Sequence, residues 1–69
     1  MDIKWTDGFE IAVKSDGETA VIKANREGLL SLADIFTALA EEGDGAHIHL
    51  DRYNSLEEGS AELIVEKSP

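Results

Sequence analysis

The sequence predicts an α+β fold: a mostly antiparallel four- or five-stranded sheet with one helix packed on one face, in the order (β)ββαββ. Three patterns predict it. Apolar residues alternate at period two in four short stretches, the mark of strands with one apolar face. Between the second and third stretch, apolar residues recur at i, i+3, i+4 and i+7, the mark of an amphipathic helix. The chain of 69 residues has length for one domain, 1–69, and a single helix can cover only one face of the sheet.

The elements follow in order. Ile3 and Trp5 alternate, and Asp7-Gly8 could turn them into the next stretch. They form either a short extra strand over residues 2–6 or the start of one long strand bulged at Gly8; the extra strand is expected. Phe9, Ile11 and Val13 alternate with Glu10, Ala12 and Lys14. Asp16-Gly17 then marks a hairpin turn into a partner strand from Thr19 to Ala24. Asn25 is a good N-cap for a helix from Arg26 to Glu42. Its apolar stripe holds Leu29, Leu32, Ala33, Phe36, Leu39 and Ala40, widened by Leu30 and Ile35, with Ser31, Asp34, Ala38 and Glu41 opposite. Gly28 weakens the first turn slightly, and Gly43 is placed to end the helix in a left-handed conformation. Ala46 to Asp51 and Ala61 to Lys67 are the last strands, joined by a polar connection with a turn near Leu56. The covered sheet face should hold Phe9, Ile11, Val13, Ile22, Ile48, Leu50, Leu63 and Val65. The open face should carry Ala12, Val21 and Ile64 as an apolar patch, with Val21 and Ile64 as candidates for self-association in a homodimer.

Composition narrows the function classes. Fifteen acids against six bases give a net charge of -9. Nucleic acid and anionic membranes select Lys and Arg, so neither is expected as a direct partner. Cysteine is absent, which removes disulfides, thiol catalysis and thiolate metal sites. Met1 to Asp7 has neither the basic start nor the apolar stretch of a secretory signal, and no run is long enough to cross a bilayer; a cytoplasmic protein is expected.

Few residues point to chemistry. His47, His49 and Asp51 project from one side of a strand and could meet one metal ion. Same-face positions along a strand are about 7 Å apart, which makes a poor tetrahedron. A half-exposed strand also alternates polar and apolar residues without any ligand, so no metal and no cofactor is expected. The serines at 15, 31, 55 and 60 have no base at a telling spacing, and no enzyme is expected.

Charge says more. Glu41, Glu42 and Asp44 crowd the end of the helix, where the macrodipole disfavours acids. Glu57 and Glu58 add acids in the long connection, and Tyr53 between Arg52 and Asn54 is a candidate anchor. Such acids either keep a small protein soluble or form a face for a basic protein partner. On the second reading Glu41, Glu42, Asp44, Tyr53, Glu57 and Glu58 are the contacts. Trp5 is expected to complete the core.

The stretch Ala46-His47-Ile48-His49-Leu50-Asp51, the polar loop with Leu56, and Gly59-Ser60-Ala61-Glu62-Leu63-Ile64-Val65-Glu66-Lys67 resemble the immunity protein 32 family of bacterial polymorphic toxin systems. The helix segment from Asn25 to Ala33 is similar too, and the resemblance runs from about Ile11 to Lys67. It implies an antidote inside the cell, made beside a toxin and binding it directly, and it carries over no defined site. The alternatives are a homo-oligomeric interaction module and, more weakly, a metal-binding domain.

Overall fold

A computed structural model describes residues 1–69. Its elements are β1 (Ile11–Ser15), β2 (Ala20–Ala24), α1 (Arg26–Ala40), β3 (His47–Leu50) and β4 (Leu63–Glu66). The ββαββ order holds, and residues 2–6 form no strand. Instead a turn closes from Phe9 N–H to Thr6 O at Gly8, whose φ is +83°, and Trp5 stacks on Phe9 with ring centroids 4.6 Å apart. Trp5 stays partly exposed and stands outside the core.

The four strands do not join one sheet. β1 pairs with β2 and β3 with β4, each as an antiparallel two-stranded ribbon. The reason lies in the connection before β4. Glu57 N–H donates to Ile11 O at 2.9 Å, Ala61 N–H to Val13 O at 2.9 Å, and Val13 N–H to Ser60 Oγ at 3.1 Å. These three bonds occupy the free edge of β1. A turn with Gly59 at φ +81° separates them, so the bonds are irregular and no ladder propagates into β4.

The first hairpin forms where Asp-Gly places it. Asp16 and Thr19 exchange bonds across Gly17-Glu18, and the register pairs Val13 with Ile22 and Lys14 with Val21. Asn25 then holds three segments together. Its Oδ1 accepts from Gly28 N–H at 2.7 Å and from Glu10 N–H at 3.0 Å, while its Nδ2 donates to Gly8 O at 2.9 Å.

The core is Ile11, Val13, Leu32, Ile35, Leu50 and Leu56, with Ile3, Phe9, Ala24, Ile48, Ala61 and Leu63 packed against it. Leu56, in the polar connection, is as buried as the strand residues. The buried helix residues are Gly28, Ser31, Leu32, Ile35 and Leu39. That set is rotated by about one residue, roughly 90°, from the centre of the apolar stripe. Leu29, Leu30, Ala33, Phe36 and Ala40 are exposed, and Ser31, assigned by pattern to the polar side, is fully buried. Small residues explain the rotation. A Cβ on Gly28 would lie 2.5 Å from Glu10 O, so the helix lies against β1 closely enough that only glycine fits. Ser31 is satisfied there: its Oγ donates to Glu27 O and accepts from Thr6 N–H, both at 2.9 Å.

Candidate functional site

The acids and the tyrosine separate into two groups. Glu41, Glu42 and Asp44 follow the last turn of α1. Glu41 is the C-cap in right-handed geometry, and Gly43 does not adopt a positive φ. The end is closed by i to i−3 bonds from Glu41 N–H to Ala38 O and from Glu42 N–H to Leu39 O. The positive charge missing from the last turn comes from Lys67, beyond β4. Its Nζ donates to Ala40 O at 2.8 Å and to Glu42 O at 2.6 Å. The segment that carries Lys67 is anchored beside it, since Lys67 N–H donates to Ala46 O and Gly45 N–H to Lys67 O, each at 2.8 Å. None of the three acids forms an ion pair. Glu41 and Asp44 are exposed and Glu42 half-buried.

Tyr53, Glu57 and Glu58 belong to the connection between β3 and β4. Tyr53 is 82% exposed, the most exposed large apolar side chain, and lies under the Arg52 guanidinium at 4.8 Å. Arg52 also reaches Glu58 at 3.9 Å. Asp51 builds this turn. Its Oδ1 accepts from the N–H groups of Tyr53 and Asn54, and its carbonyl accepts from those of Ser55 and Leu56. Glu57 lines a depression with Ile11, Ala24 and Asn25, at the N-terminal end of α1. The helix of 15 residues spans about 22 Å, so Glu41, Glu42 and Asp44 at its C-terminal end and Glu57 near its N-terminal end do not merge into one patch.

The histidines make no shared centre. His47 and His49 lie edge to face at 5.1 Å, His49 Nδ1 is 3.3 Å from Glu62 Oε2, and the Asp51 carboxylate is held by its own turn. No three His, Asp or Glu side chains converge as metal ligands.

Val21 and Ile64 do not share one open sheet face, because they sit on different ribbons. Val21 is 48% and Ile64 51% exposed. Ile22, expected on the covered face, is also largely exposed, because β2 forms the outer edge of its ribbon and little packs over it.

The feature that pattern alone did not reveal is the solvent side of α1. Leu29, Ala33, Phe36 and Ala40 form a straight exposed stripe at i, i+4, i+7 and i+11. Phe36 and Ala40 continue into a groove of ≈ 190 Å³ shared with Leu39, Val65 and Lys67. On the side away from the core the stripe is bordered by Leu30, Asp34, Thr37 and Glu41, all exposed. From Glu27 to Asp51 the chain holds six acids and neither Lys nor Arg. No helix is long and apolar enough to cross a membrane. The signal was present in the sequence as an apolar arc too wide for one sheet face to cover.

The chain matches the family described as Immunity protein 32 over residues 19–68, more than two thirds of its length. No curated protein and no solved structure gives a significant match.

Proposed function

This chain belongs to the immunity protein 32 family, and we propose that it neutralises a cognate bacterial toxin by binding it directly, one to one, and occluding its working face. The family match is the observation that carries this reading. The charge supports it: a net charge of -9 suits a basic partner, such as a toxin whose surface handles phosphate. Exposed apolar side chains on the helix and on Tyr53 can supply the desolvated centre that charge alone does not. In this reading the chain carries no chemistry of its own. Glu41, Glu42 and Asp44 form one contact group, and Tyr53, Glu57 and Glu58 a second. The acids pair with Lys and Arg of the toxin.

Co-expression tests the proposal. The chain produced together with the polypeptide encoded beside its gene should restore growth to cells that the second polypeptide alone arrests, and the two should co-purify at equal stoichiometry. Growth arrest that persists with the chain in excess would overturn it.

A second reading, a homo-oligomer paired through β2, is favoured by the exposure of Val21 and Ile22 on a strand with one free edge. Val21→Glu should then convert a dimer to a folded monomer in sedimentation; a chain that is monomeric before the change excludes this reading.

A further inference from the structure

We infer that the solvent face of α1, centred on Leu29, Ala33, Phe36 and Ala40, is the docking surface for a basic polypeptide that presents an aliphatic or aromatic patch ringed by Lys and Arg. The inference rests on the immunity reading and deepens it by naming the surface that meets the toxin.

Exposure comes first. Leu29 is 56% exposed and Phe36 43%, and Ala33 and Ala40 are exposed as well. A helix in a domain this small normally turns such residues inward. Here Gly28 packs against Glu10 and Ile11 and Ser31 bonds to Thr6, so Leu29, Leu30 and Phe36 face outward while Leu32, Ile35 and Leu39 are buried. The stripe is continuous, at helical spacing, and runs into the groove beside Val65. A side chain from a partner could enter that groove while neighbouring residues cover Leu29 and Ala33.

Charge selects the occupant. Asp34 and Glu41 border the stripe, and Glu42 and Asp44 follow its C-terminal end. The only base on the helix is Arg26, at its first position, facing Glu27 at 3.8 Å. The one cation at the groove, Lys67, is turned onto the helix carbonyls. A second copy of this chain would bring an equally acidic rim against this one, and like charges across an interface oppose association. A partner with bases around an apolar centre meets both the stripe and its rim.

The test uses the full chain and the polypeptide encoded beside its gene. Ala33→Arg adds bulk and positive charge to the middle of the stripe at an exposed position. Arg is a good helix former, so the melting temperature should hold. Affinity should fall about tenfold or more. Leu29→Asp with Phe36→Asp should do the same. Ser15→Ala, at an exposed position on β1, should change affinity by less than about twofold. Should the double aspartate variant melt early because Phe36 also lines the groove, Ala33→Arg decides alone. A complex that tolerates Ala33→Arg overturns the assignment and leaves the immunity reading standing. Absence of any complex with the unaltered chain overturns both. Sedimentation of the chain alone completes the test: a dimer that Ala33→Arg abolishes would assign the face to a second copy and overturn the inference.

Discussion

A Cβ on Gly28 would meet Glu10 O at 2.5 Å and the side chains of Ala24 and Ile11 at 3.0 Å. By helix propensity alone, Gly28→Ala should stabilise the protein by about 1 kcal/mol. The contact reverses the sign, because the nearest atom is backbone and cannot turn aside. Gly28→Ala should therefore destabilise by about 1–3 kcal/mol in urea unfolding, as overpacking does. A stabilised variant would mean that the helix does not lie this close to β1. The same close approach explains why the orientation of the helix was not legible in the sequence. Glycine in a first turn reads as a weak helix former and serine as a solvent-facing residue. Yet Gly28 is the contact point and Ser31 a satisfied polar group in the core. Asn25 was legible as a cap, but its bonds to Gly8 and Glu10 follow only from the tertiary fold.

At the scale of elements, α1 ends with three acids and no base of its own, and Lys67 corrects this from the far end of the chain. Lys67→Met should lower stability by about 1 kcal/mol in thermal or urea unfolding, through loss of two charge-assisted bonds to terminal carbonyls. An unchanged stability would show that the ammonium is idle there. Changing Glu41, Glu42 and Asp44 to Gln, Gln and Asn should leave the melting temperature unchanged or raise it, since none of them is paired and the dipole disfavours all three. If they contact the toxin, the same variant should associate more slowly and with weaker salt dependence. A variant that melts earlier and binds normally would make them structural. Both hairpin strands, the helix and the last two strands were readable from period and from Asp16-Gly17. The single sheet was not, because its failure depends on Glu57, Ser60 and Ala61 bonding to β1 through a glycine turn. Such bonds leave no periodic trace. Leu56 was hidden for a related reason, being a lone apolar residue in a polar stretch.

For the whole molecule, fifteen acids and six bases make self-repulsion the dominant long-range term. The two arginine–carboxylate pairs that oppose it, Arg26–Glu27 and Arg52–Glu58, lie at the surface, and such pairs contribute little. Raising salt from low ionic strength to about 0.2 M should therefore raise the melting temperature, because screening relieves repulsion more than it weakens pairs. The same salt should weaken association with a basic partner. Stability that falls with salt would mean that the paired charges outweigh the net charge. The acidic character and the exposed Tyr53 were legible from composition and position, whereas the division of the acids between the two ends of α1 required the fold. Direct, stoichiometric neutralisation of a toxin is the central proposal. Titrating the chain into a fixed amount of the polypeptide encoded beside its gene, with the toxic activity of that polypeptide as readout, tests this most directly. Inhibition should be linear and complete at one molar equivalent. Inhibition completed by a small fraction of an equivalent, or activity undiminished by an excess, would contradict it.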